Sequence, residues 1–148
     1  MKTIFVSHGF RFHKPWKQLN TLIERRLTEM FLNVSVPWHD PSFLPYDSWG
    51  KEMIDKALES QATEIDVLVI IESLLMSGSS KKYVKREIEV ALGTSPSCLV
   101  ITYCDRGTED IKQVIEDEIE SDAYRKRILD GLFCLTAQEV IASICLGM

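Results

Sequence analysis

The chain reads as an α/β domain built on a five-stranded parallel sheet with helices on both faces, and three observations predict it. Short, wholly apolar runs recur along the 148 residues. Stretches with the helical apolar period of three and four lie between those runs. The resulting alternation of strand and helix needs crossover connections, which parallel strands require and which place helices over the sheet.

Ile4-Phe5-Val6 opens the series as a continuous apolar run, and Val67–Ile71 and Leu99-Val100-Ile101 repeat the type. Such runs suit strands buried on both faces. Residues 31–36 differ, because Leu32, Val34 and Val36 alternate with Asn33 and Ser35. That alternation marks a half-exposed strand, placed here at an edge. Residues 132–135 form a short fifth strand.

The first helix carries Trp16, Leu19, Ile23, Leu27 and Met30 on one face and starts near Pro15, where proline suits the first turn. A second runs from about Trp49 through Met53, Ile54, Ala57 and Leu58, with Asp47 or Ser48 as its N-cap. A third buries Val84, Ile88, Ala91 and Leu92 and stops at Gly93. Ile111, Val114, Ile115 and Ile119 mark a fourth, very acidic one. The last opens with the capping box Thr136 to Glu139 and carries Val140, Ile141 and Ile144.

This length is one domain, spanning 1–148, at roughly 100 to 200 residues per domain. The 45% hydrophobic and 26% charged residues are ordinary for a globular chain, which excludes disordered and fibrous classes. The longest fully apolar run, Val67–Ile71, is far short of the roughly 20 residues of a spanning helix, so no membrane is expected. The N-terminus lacks the pattern of a signal peptide, and a cytoplasmic location is the expectation.

A net charge of −5 disfavours long nucleic acid, whose affinity comes largely from phosphate neutralisation. Lys81, Lys82, Lys85 and Arg86 make one local basic cluster, enough for one diphosphate, or else a solvated helix face. The four cysteines, Cys98, Cys104, Cys134 and Cys145, have no zinc spacing and read as reduced thiols in or beside apolar stretches. No metal is expected.

Ligands of open parallel sheets bind at the carboxyl ends of the strands. That rule selects residues 7–10, residues 37–40, Glu72-Ser73 and Cys104-Asp105. Neither the Gly-rich phosphate loop ending in Gly-Lys-Ser/Thr nor the dinucleotide Gly fingerprint is present. In the third helix, however, Glu87 lies about 85° from the centre of the apolar stripe, on its flank and partly covered. Tyr83 precedes it by four residues on the same face, and Ser79 and Ser80 stand at the helix start. A ring, a carboxylate and a helix N-terminus able to attract an anion thus come together.

At these residues the whole chain resembles TIR-like domains of the bacterial group that includes the Thoeris anti-phage defence proteins. Ile4-Phe5-Val6-Ser7-His8 is similar to the family's opening strand of Val/Ile, Phe, Ile/Val, Ser and His/Tyr. The strand Val67–Ile71 followed by Ser73, and Tyr83 to Ile88, where the family has Trp-Val-x-x-Glu-Ile, continue the match. The resemblance implies a five-stranded parallel sheet of flavodoxin-like order in a three-layer sandwich. It also implies cleavage of NAD at the nicotinamide–ribose bond, with NAD as substrate and no cofactor. Some bacterial members cyclise the ADP-ribose product into a signal for a partner effector.

The family's catalytic glutamate falls on Glu87, and Tyr83 replaces its tryptophan, keeping a π surface. Ser7, His8, Gly9 and Phe10 would line the ribose and diphosphate side, with Ser73 beside them. The loop 38–49, with Phe43, Tyr46 and Trp49, would serve self-association. One carboxylate suffices for this reaction, because the pyridinium leaves as neutral nicotinamide without the general acid that glycosidases use. Two other readings stand beside it: a TIR-like interaction module without turnover, and an enzyme like the nucleoside deoxyribosyltransferases, which share the sheet and a catalytic Glu.

Overall fold

The computed structural model describes residues 2–7, 18, 19, 21, 22, 25, 31–33, 65–76, 81–107 and 110–146, with backbone alone for residues 2, 3, 31–33, 82 and 83. Five strands form one sheet: β1 (Lys2–Ser7), β2 (Phe31–Asn33), β3 (Val67–Ile71), β4 (Leu99–Tyr103) and β5 (Leu132–Cys134), ordered β2-β1-β3-β4-β5. Every neighbouring pair is parallel. All carboxyl ends therefore lie along one edge, and the segments that follow β1, β3 and β4 start there.

The apolar runs explain the middle of this sheet. All five residues of β3 are buried, as are Ile4, Phe5 and Val6 of β1 and Val100 and Ile101 of β4. A strand covered on both faces cannot alternate, so its sequence is continuously apolar. Of the alternating segment, residues 31–33 form β2 at one edge of the sheet, as its pattern indicated, residues 34–36 lie outside the described residues, and β5 is the opposite edge.

Five described helices follow β3: α1 (Glu72–Met76), α2 (Lys81–Thr94), α3 (Ile111–Glu118), α4 (Asp122–Leu129) and α5 (Ala137–Leu146). Residues 18, 19, 21, 22 and 25 are helical too, and Leu19 is buried, in keeping with the first amphipathic stretch. The remainder of that stretch, the helix expected from Trp49 to Leu58 and the loop 38–49 lie outside the described residues.

α2 buries Val84, Ile88, Ala91 and Leu92 and packs against β1, β3 and α1, whose Leu74 and Leu75 are also buried. Gly93 does not end it. The helix continues through Thr94, and the Ser95 N–H donates to the Ala91 carbonyl at 2.8 Å. Gly93 instead gives room to its neighbour, since a Cβ there would stand 3.1 Å from the Tyr124 hydroxyl.

The acidic fourth helix is α3, and a further helix, not among those expected from the sequence, follows it. α3 stops at Glu118, and after Ile119 and Glu120 the chain restarts as α4, capped by Ser121, whose hydroxyl accepts the Tyr124 N–H at 3.3 Å. α4 carries only one buried side chain, Ile128, so its apolar period is too faint to read. At α5 the Thr136 hydroxyl accepts the Glu139 N–H at 3.1 Å. The Glu139 carboxylate accepts from Leu135 at 2.9 Å, one residue ahead of the usual capping-box partner.

Candidate functional site

Ser7 is the last residue of β1, paired across the ladder with Ile70, and β1 is held between β2 and β3. Its hydroxyl therefore starts from a fixed point at the carboxyl edge. Glu87 approaches from α2, one turn after Tyr83. The Ser7 Oγ donates to Glu87 Oε1 at 3.0 Å, across 80 residues of chain. Ser7 is 0% exposed and Glu87 3%.

That burial corrects the half-covered position inferred from the helical wheel. Glu87 sits on the flank of the apolar stripe, but the arc covered by the sheet and α1 is wider than the stripe itself. A carboxylate in such a place is costly unless hydrogen bonds satisfy it, and the Ser7 hydroxyl is one of its partners.

A second polar cluster lies farther along the same edge, where β3 runs into α1 and β4 into its turn. Asp105 accepts from the Ser73 backbone N–H at 2.9 Å and from the Ser73 hydroxyl at 2.5 Å. In the opposite direction, Glu72 Oε1 accepts the Arg106 N–H at 3.0 Å. Two acids thus tie two strand ends reciprocally. The turn itself closes by the Gly107 N–H on the Cys104 carbonyl at 3.0 Å, with Gly107 at φ 62°. A left-handed residue in that position favours glycine.

Burial dominates the electrostatics of this corner. It pushes the Cys104 thiol up to about 11, helped by the nearby carboxylates of Glu72 and Asp105. Burial first, and then Asp105, also raises the Tyr103 phenol. Cys98, at the other edge, is raised by burial, with Asp66 adding and Arg127 opposing. None of these thiols is activated as a nucleophile, since activation needs a lowered pKa.

The local basic cluster is largely engaged within the chain. Lys81 and Lys85 meet Glu118 of α3 at 3.1 and 3.7 Å, and Arg86 meets Glu89 at 2.8 Å. Among the described residues, no three His, Cys, Asp or Glu side chains group to hold a metal ion. No described helix is long and apolar enough to cross a membrane.

Of the residues selected from sequence, Ser7 and Glu87 are brought into contact, while Ser73 gives both its donors to Asp105. Tyr83 lies in α2 by its backbone, and His8, Gly9 and Phe10 lie outside the described residues. Glu72 and Asp105 stand at the strand ends that the carboxyl-edge rule selects, and the sequence assigns them no role. Their two hydrogen-bonded contacts join residues more than thirty positions apart, which no spacing rule reveals.

Fold and site together define a parallel α/β domain with a buried Ser–Glu pair at the carboxyl edge of its sheet. Comparison of the chain with protein-family models, curated proteins and solved structures gave no match.

Proposed function

We propose that the chain is a TIR-like, NAD-consuming enzyme of the anti-phage defence type, with a flavodoxin-like three-layer sandwich and Glu87 as its catalytic carboxylate. The single observation that carries this reading is the buried Ser7–Glu87 contact at the carboxyl edge, since α/β sheets bind ligands there and a buried carboxylate is not retained for solubility. In the reaction the C1′–N bond to nicotinamide breaks, and its electron pair leaves with the neutral pyridine. Glu87 stabilises the oxocarbenium charge left on the ribose. Water then adds at C1′ and releases a proton, giving ADP-ribose, or a nucleophilic group of the same ADP-ribose adds there, gives up its proton and closes a cyclic product that signals to an effector.

In this reading the Tyr83 ring would stack on a base, and His8, Gly9 and Phe10 would line the ribose and diphosphate side. Ser73, expected beside the substrate, has both donors on Asp105 and acts here through the strand end it fastens. Self-association through the loop 38–49 would bring copies together and is read out as specific activity that rises with protein concentration.

The test is nicotinamide release on incubation with NAD, with products identified by mass spectrometry. Release by the wild type and its loss in Glu87→Ala and Glu87→Gln support the reading. Intact NAD at high protein concentration overturns it, and so does full activity in both variants. The 3% exposure of Glu87 favours a second reading, a TIR-like interaction module in which the pair only supports the fold. That module binds other TIR-like domains and leaves NAD untouched.

A further inference from the structure

We infer that Ser7 is a positioning residue for Glu87 rather than a substrate-binding group, an inference that rests on the NAD-cleaving reading above. Three observations carry it. The first is the contact itself: the Ser7 hydroxyl donates to Glu87 Oε1 at 3.0 Å, with both residues buried.

The second is access. Ser7 is 0% exposed, and the exposure that remains in the pair belongs to Glu87. A hydroxyl with no surface of its own has its donor committed to the carboxylate and offers none to a ligand.

The third is rigidity. Ser7 lies on an interior strand with parallel neighbours on both sides, and Ile4, Phe5 and Val6 before it are buried. A glutamate side chain has three rotatable bonds, and α2 alone does not choose among its rotamers. Anchoring Oε1 to a fixed point on the sheet selects the plane of the carboxylate. Preorganised charge acts on the developing oxocarbenium without reorganising, and misplacement by about 1 Å can cost a hundredfold.

The consequence separates kcat from KM. A positioning hydroxyl that never touches NAD affects the rate of bond breaking and leaves ground-state binding alone. A substrate-binding hydroxyl does the reverse. The experiment compares wild type, Ser7→Ala, Ser7→Thr and Glu87→Gln by initial rates of nicotinamide release across NAD concentrations. Calorimetric binding of ADP-ribose to each variant accompanies the rates.

Ser7→Ala is expected to lose about tenfold to a hundredfold in kcat, with KM and ADP-ribose affinity within about twofold of wild type. Ser7→Thr, which keeps a hydroxyl, recovers part of the rate. Ser7→Cys, close in volume to serine, provides the comparison if the Ala or Thr variant does not fold. A raised KM with unchanged kcat in Ser7→Ala overturns the inference, and so do unchanged values of both. If those results come with an inactive Glu87→Gln, only the role of Ser7 falls. If the wild type leaves NAD intact, or Glu87→Gln cleaves it at the wild-type rate, the functional reading falls and takes this inference with it.

Discussion

Asp105 receives both donors of Ser73, the backbone N–H at 2.9 Å and the hydroxyl at 2.5 Å, and so fastens the start of α1 to the turn after β4. Hydrogen bonds to a charged group are worth about 1.5–3 kcal/mol each. Asp105→Ala is therefore expected to lower stability by about 2–4 kcal/mol, and Ser73→Ala, which keeps the backbone bond, by about 1–2 kcal/mol. Urea unfolding midpoints check the order. A smaller loss in Asp105→Ala than in Ser73→Ala would contradict this account.

Glu87 carries a structural as well as a proposed catalytic load, and two substitutions separate them. Glu87→Ala leaves the Ser7 hydroxyl buried without this acceptor and opens a void, at a cost of about 1–3 kcal/mol. Glu87→Gln keeps an acceptor oxygen and most of the volume, so its loss should be the smaller. For a chain of this size each kcal/mol moves Tm by about 2–4 °C. Thermal melts that rank Gln below Ala would refute the packing described here.

Two glycines make opposite predictions. A Cβ on Gly131 would lie 2.5 Å from the Val100 carbonyl oxygen, a backbone atom of the sheet that has no room to give. Gly131→Ala is expected to destabilise by about 1–3 kcal/mol through the forced backbone shift. At Gly93 the nearest atom is the Tyr124 hydroxyl at 3.1 Å, the end of a side chain that can swing away. There the gain in helix propensity, about 1 kcal/mol, offsets the contact, and Gly93→Ala should be close to neutral.

The cysteines should divide by accessibility. Cys145 is exposed, whereas Cys98, Cys104 and Cys134 are buried. A thiol reagent is expected to label one described cysteine rapidly in the native protein and all four after unfolding. Labelling of Cys104 ahead of Cys145 at neutral pH would contradict the burial.

Cys104 also sets a sign for alkaline stability. Its thiol stays protonated up to about 11 in the folded protein, against an ordinary value of about 9. Between those values the unfolded chain releases a proton that the folded one keeps, so deprotonation draws the equilibrium toward unfolding. This contribution is fully present below about pH 9 and is lost as pH rises to about 11. Urea midpoints for wild type should fall more steeply over that window than those for Cys104→Ala.

The sequence by itself determined the class of this domain and the strands at its centre. Val67–Ile71 and Leu99-Val100-Ile101 are continuously apolar because both their faces are covered, and a pattern imposed by burial is written locally in the residues. The cap at Thr136 was legible for the same reason, since its partners lie within four positions. α1, with five residues, and α4, with one buried side chain, had no periodic signal to offer. Only the tertiary structure decided that Glu87 is buried rather than half-covered, that Ser7 meets it across 80 residues, and that Ser73 turns to Asp105 across 32. A hydrogen bond needs a donor and an acceptor within about 3 Å and is indifferent to their separation along the chain. Such contacts leave no spacing in the sequence, and the packing of α2 and α1 over the sheet is what creates them.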